Sequence, residues 1–321
     1  MLTKQQIERY YRDGYLLVPN TLTAEQVTWL RSFFRPKFDL PPERRLPTDT
    51  DHWLLDIFSR YPEVRWLCFH EPTLQILRTL LGNDFVLHAF EGTVHLNWFG
   101  GWHKDTGSPE REGHTFFSEK DYESLTVAYY LQDNTAEYGG GLDAEPGSHR
   151  QPDLFIQPSR PENRSVIKRI WHQIDRPARK KYWIEHQRHY EWKPYVPSNV
   201  LSIPSRVGDL VLIDSRINHH ATSPRRNTQS GFIARGVLPP EHEKLAIFFG
   251  CSRNTPPSSA YLNYVVNRKD YPYLQDYSYP ADFVNEAKQA GVNLLGKESW
   301  MERSGPVKYI HATEKEVNVL R

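Results

Sequence analysis

The 321-residue sequence predicts a mainly β fold, a sandwich or jelly roll with helices on its flanks. Three observations carry this. Short runs rich in β-branched and aromatic residues recur at 85–90, 93–99, 125–131, 210–213, 232–238 and 245–249. Loops containing Gly and Pro separate them, and no βα alternation or internal repeat is present. Helical periodicity is concentrated near the two ends of the chain.

In chain order, Thr3 and Gln6 form a capping-box signature ahead of Ile7, Tyr10 and Tyr11, and Asp13-Gly14 ends that helix. Residues 15–19 read as a strand. Thr23 and Gln26 repeat the capping box and start a helix with Val27, Leu30 and Phe34 on one face. Residues 35–52, rich in proline and charge, read as loop. Pro72 suits a first helical turn, and Leu74, Ile76, Leu77, Leu80 and Leu81 make a stripe ended by Gly82-Asn83. The β-rich texture then begins. Two long connections interrupt it, 106–123 and 151–207, and both read as lid loops over the mouth of the fold. The second carries a basic, aromatic stretch at 164–193. Residues 281–290 read as a helix. We expect a single domain over 1–321, with N-terminal helices in 1–84, the β core in 85–250 and an extension in 251–321.

A formal net charge of +1 gives no global electrostatic reason for a nucleic-acid or membrane partner. Cys68 and Cys251 make no disulfide framework and suit a reducing compartment. The first residues lack the apolar core of a signal peptide, and no stretch approaches the length of a membrane span. The expectation is a soluble cytoplasmic protein, with its oligomeric state unread.

The most informative motif is His103-Lys104-Asp105, after the strand-like run 93–99 and the Gly100-Gly101 turn. On extended backbone, residues two apart point to one side, so His103 and Asp105 converge while Lys104 faces away. They supply two ligands of a 2-His-1-carboxylate triad, which holds Fe(II) and leaves other positions open. Alone, such a tripeptide is equally well a surface turn. The run 208–216 reads as a turn and a buried strand, followed by Ile217-Asn218-His219-His220-Ala221-Thr222. A histidine there is placed to complete the triad, and only one of the adjacent pair can face the metal.

Four stretches together resemble the phytanoyl-CoA dioxygenase family of Fe(II)- and 2-oxoglutarate-dependent oxygenases. They are the opening run 6–19, with Tyr10 and Asp13-Gly14-Tyr15; Trp102-His103-Lys104-Asp105; the segment from Leu131-Gln132-Asp133 through Gly139-Gly140-Gly141 to Pro146-Gly147-Ser148-His149-Arg150; and Gly208-Asp209 through to His219 and Ala221-Thr222. The resemblance implies a double-stranded β-helix (jelly roll, cupin-like) and selects His219 over His220 as the distal metal ligand. It also implies Fe(II), 2-oxoglutarate and O2 as cofactor and co-substrates, with release of succinate and CO2. The family holds the far carboxylate of 2-oxoglutarate with a basic residue on the strand after the distal histidine, where a planar arginine fork fits well. Arg235 is the first candidate for that clamp, with Arg225, Arg226 and Lys244 as alternatives. Asn97, Thr126 and Tyr130 are candidates to line the co-substrate pocket.

Halogenating relatives carry a small residue at the position of Asp105, so a carboxylate there favours hydroxylation, desaturation or ring closure. Other residues have plainer readings. His149 and Arg150 satisfy loop carbonyls, and His88 and His95 are hydrogen-bonded core residues or face the substrate. Segment 164–193 is a solvated face or a lid that meets an anionic group. Two rival functions remain: a metal-binding jelly roll that works without 2-oxoglutarate, and a non-catalytic binding protein on the same fold.

Overall fold

The computed structural model describes residues 2–41, 44–45, 49–151, 197, 199–225, 231–233, 236–268 and 274–297. Its strands are β1 (Tyr15–Val18), β2 (Trp53–Leu54), β3 (Val86–Leu96), β4 (Trp98–Phe99), β5 (Ser124–Tyr130), β6 (Leu142–Ala144), β7 (Leu201–Ile203), β8 (Leu210–Asp214), β9 (His219–Ala221), β10 (Gly231–Phe232), β11 (Leu245–Ser252) and β12 (Asn293–Leu294). The helices are α1 (Lys4–Asp13), α2 (Ala24–Phe34), α3 (Ile57–Arg60), α4 (Glu71–Leu81), α5 (Gly107–Arg111), α6 (Pro256–Val266) and α7 (Ala281–Gln289).

The larger sheet has the order β1-β8-β5-β11-β3-β12, with β2 added on β3. The central strand β11 is antiparallel to β3 and β5 on its two edges, so Ala246 stands opposite both His95 and Tyr130. Side chains alternate across a strand. One face of this sheet therefore gathers Tyr15, Ala128, Tyr130, Val211, Ile213 and Ala246, which pack on Leu142, Ala144 and Ile203 of the facing sheet β7-β6-β9. The other face offers Val127, Tyr129, Leu212, Ile247 and Phe249 to the helices, where Leu30 and Phe34 of α2 and Leu74 and Leu77 of α4 meet them in one larger core. Two sheets closed around an interior, with helices outside, make the double-stranded β-helix expected from the sequence.

Local chemistry explains the helix ends. Thr3 and Thr23 both form complete capping boxes, with Gln6 and Gln26. Gly14 closes α1 at φ 81°, and its carbonyl then accepts from the Asp214 amide at 2.8 Å, seating β1 beside β8. Two connections hold more structure than composition suggested. Arg35–Asp39 is a 3-10 turn because Phe38 is fully buried. The connection 106–123 contains α5 and a 3-10 turn at Phe116–Ser118, anchored by buried Phe116 and Phe117. The strand expected over 232–238 is confined here to β10, and residues 234 and 235 are outside the described residues. The basic, aromatic stretch 164–193 also lies outside them. No described helix is long and apolar enough to cross a membrane.

A glycine turn braces the exit of β9. Gly139 sits at φ 62°, and an added Cβ would stand 2.1 Å from the Thr222 carbonyl oxygen, while the Gly140 amide donates to that same oxygen at 2.9 Å. Gly139→Ala should therefore cost more than the ~1–3 kcal/mol of a left-handed non-glycine residue. A lowered denaturant midpoint checks this.

Candidate metal centre

The Gly100-Gly101 turn after β4 brings His103 level with the first residue of β9. There His103 and His219 exchange backbone hydrogen bonds, His103 N to His219 O at 3.0 Å and His219 N to His103 O at 2.9 Å. This pair fixes the two imidazoles side by side, with ring centroids 4.3 Å apart. Each ring is oriented by its own backbone. His103 Nδ1 lies 2.7 Å from the Gly101 carbonyl and His219 Nδ1 lies 3.1 Å from that of Ile217. A carbonyl only accepts, so both Nδ1 atoms carry the proton and both Nε2 atoms present a lone pair.

Those lone pairs converge on Asp105, whose Oδ1 is 3.6 Å from His103 Nε2 and 3.7 Å from His219 Nε2. One ligand atom from each of the three residues lies within 4.8 Å of the others, an arrangement that can hold a metal ion. Burial, then the neighbouring His103, pushes His219 down to about 4, against the opposing pull of Asp105. It is therefore a neutral donor near neutral pH. Thr126 on β5 donates to Asp105 Oδ2 at 2.8 Å and fixes the carboxylate. Lys104 points the other way, donating to the Ser148 carbonyl at 2.9 Å.

The adjacent His220 falls on the opposite side of β9. Its Nε2 is 2.9 Å from Asp143 Oδ2, and its ring is 4.4 Å from that of Trp102. His149 and Arg150 reach the carbonyls of Tyr11 and Arg12 and tie α1 to the barrel.

Among the co-substrate candidates, Thr126 and Tyr130 lie on the interior face, and the Tyr130 hydroxyl is buried without a hydrogen-bond partner among the described residues. Asn97 is not brought to this face. It adopts φ 51° between β3 and β4, is fully buried, and accepts from the Lys244 amide at 2.9 Å through its side-chain oxygen. Its side-chain nitrogen donates to Glu243 Oε1 at 3.5 Å, so neither end of the amide is turned to the interior. Of the basic candidates, Arg235 and Arg226 lie outside the described residues, and Arg225 is exposed. Lys244 is buried, and its Nζ donates to the Trp98 carbonyl at 2.9 Å. Burial pushes it down to about 7. His95, opposite Ala246, is held down to about 3 by burial and then by Lys244 and His103, which places it within electrostatic reach of both.

A cavity of about 430 Å³ opens beside the triad. His103, Asp105 and Thr126 line it together with Glu91, Phe248 and Tyr261. Sequence reasoning passed over Glu91 and Tyr261. The available signal was the one carboxylate in the strand-like run, followed at once by Gly92.

A search of curated proteins gives no match. Solved structures that resemble the chain do so at low identity. The non-heme alpha ketoglutarate dependent carbocyclase SnoK from nogalamycin biosynthesis is 16% identical, over 78% of this chain and 84% of its own, with TM-score 0.49. EvdO2 from Micromonospora carbonacea var. aurantiaca, complexed with 2-oxoglutarate, is 16% identical over 78% and 91%, with TM-score 0.47. EctD from S. alaskensis with bound Fe is 15% identical over 78% and 77%, with TM-score 0.48. The family description "Phytanoyl-CoA dioxygenase (PhyH)" matches residues 10–230. That span takes in the end of α1, the whole of α2, the His-x-Asp turn and His219, and the chain belongs to the phytanoyl-CoA dioxygenase family of Fe(II)- and 2-oxoglutarate-dependent oxygenases.

Proposed function

We propose that His103, Asp105 and His219 hold Fe(II), that Lys244 holds the far carboxylate of 2-oxoglutarate, and that the enzyme hydroxylates or otherwise oxidises a small molecule. The observation that carries this is the convergence of two imidazole Nε2 atoms and one carboxylate at the mouth of an open cavity. When bound, Fe(II), 2-oxoglutarate and O2 would supply the oxidising chemistry, with O2 as the oxidant and succinate and CO2 as the co-products.

The chain's own residues bind and orient. Thr126 keeps Asp105 turned to the ligand position, and the carbonyls of Gly101 and Ile217 hold both imidazoles in the tautomer a metal needs. Lys244 precedes β11, two residues from Ala246, and shares its parity with the interior positions Ala246 and Phe248. Among the described residues no carboxylate pairs with it, and it has donors left after Trp98. A dianionic acid reaching into the interior would meet that ammonium and the unpartnered Tyr130 hydroxyl. The residues present fit such a molecule. The cavity volume suits a small-molecule substrate.

Removing the hydroxyl of Thr126 (Thr126→Val) should weaken Fe(II) binding by roughly 10–100-fold, as loss of an oriented ligand partner does. Anaerobic metal titration reads this. Lys244→Met should weaken 2-oxoglutarate binding to the metal-loaded protein by about 10–100-fold, the scale of one charge-assisted hydrogen bond; an unchanged Kd in calorimetry would remove Lys244 from the site.

The pH dependence follows from the same lysine. Its folded value of about 7 lies below the ordinary lysine range, so below pH 7 it is already charged and ready for an anion. Above that, binding must be accompanied by proton uptake. The 2-oxoglutarate affinity should then fall by up to about tenfold per pH unit from 7 upward, and proton uptake should appear as a buffer-dependent binding enthalpy.

A further inference from the structure

The pairing of β3 with β11 is interrupted beside the cavity. Thr93 is opposite Phe248 and His88 is opposite Gly250, so residues 89–92 stand against the single Phe249. Bulges of this kind re-aim a side chain next to a site. Two glycines accommodate it. A Cβ at Gly92 would lie 2.5 Å from the Phe58 ring, and one at Gly250 would lie 2.6 Å from Glu91 Oε2. The residue re-aimed is Glu91, which lines the same cavity as His103 and Asp105 and whose side chain is 28% exposed.

Its carboxylate is oriented on both oxygens. The Tyr261 hydroxyl donates to Oε1, and His88 Nδ1 donates to Oε2 at 3.1 Å. His88 is fixed in turn by Ser252 Oγ, 2.7 Å from its Nε2. Burial and then Glu91 itself raise Tyr261 well above its ordinary value, so the phenol stays a donor. A carboxylate has about four acceptor positions, and these two donors leave room for more.

Among the described residues no Lys or Arg pairs with Glu91, and His88 is its one basic partner within 4 Å. Lys104 also lines the cavity but sends its ammonium to Ser148. Arg268, a further lining residue, lies over the Tyr264 ring at 5.6 Å. A partly enclosed carboxylate without a cation is costly unless its partner arrives with the ligand.

We infer that the substrate carries a protonated amine and that the Glu91 carboxylate binds it, with His88 and Tyr261 as positioning residues. The inference rests on the oxygenase reading above and names its substrate class.

The test uses the anaerobic Fe(II)–2-oxoglutarate complex of the full chain, whose visible charge-transfer band responds when a molecule enters beside the metal. Three probes of one shape are titrated: phenethylamine, phenethyl alcohol and 3-phenylpropionate. Phenethylamine should perturb the band at concentrations about tenfold or more below those the other two need. Glu91→Gln should remove that preference, and Glu91→Lys should turn it toward 3-phenylpropionate. Equal binding of the three, no binding of the amine, preference for the carboxylate in the wild type, or an unchanged amine preference in Glu91→Gln would each overturn the inference while leaving the oxygenase reading intact. Failure of the band to form at all would overturn the oxygenase reading, and the inference would fall with it.

Discussion

Two backbone hydrogen bonds, exchanged between His103 and His219, are the constraint on which the site depends. They join a turn that follows β4 to the first residue of β9, segments more than a hundred residues apart in the chain. Because side chains alternate along extended backbone, one exchanged pair settles four orientations. His103 and His219 point to the ligand position, Lys104 turns back to the Ser148 carbonyl, and His220 turns to Asp143. A slip of one residue in this pairing would turn His219 to the opposite side of β9 and away from Asp105. The glycine turn at 139–141 and the seating of Ser148 against Asn218, with Asn218 N to Ser148 Oγ at 2.8 Å, hold that register.

The same alternation runs through the large sheet. β11 carries Ala246 and Phe248 on its interior face and Ile247 and Phe249 on the face that packs against the helices. The chemistry-bearing residues sit where this alternation is interrupted or ends. Asn97 takes a left-handed conformation and caps the Lys244 amide, Lys244 stands just before the strand begins, and Glu91 lies in the bulge. Regular strands supply rigidity, and their irregularities aim polar groups.

Much of this was legible in the sequence because its signals are local. Capping boxes at Thr3 and Thr23, the stripe of α4 and the β-rich runs each declare themselves within about ten residues. His103, Asp105 and Thr126 could be placed on faces by counting, since parity needs only an extended backbone. The residues that escaped are those defined by non-local pairing. Asn97 was expected to line the pocket because regular alternation puts it there, and its positive φ breaks that alternation. Arg235 lies outside the described residues, and the burial of the alternative, Lys244, depends on β11 packing between two distant strands. Glu91 was invisible as a cavity residue because a bulge is a property of two strands, not one. Phe116 and Phe117 likewise anchor a connection whose average composition is polar.

The most direct test of the account is CO2 release from carboxyl-labelled 2-oxoglutarate by Fe(II)-loaded protein in air, with and without an amine-bearing substrate panel. Iron-dependent release is expected in the wild type and should disappear in Asp105→Ala and His219→Ala, two substitutions that leave the backbone pairing of His103 with position 219 available. Release that persists in both variants would contradict the triad assignment. An absence of iron-dependent 2-oxoglutarate binding in the wild type would contradict the assigned chemistry of the site itself.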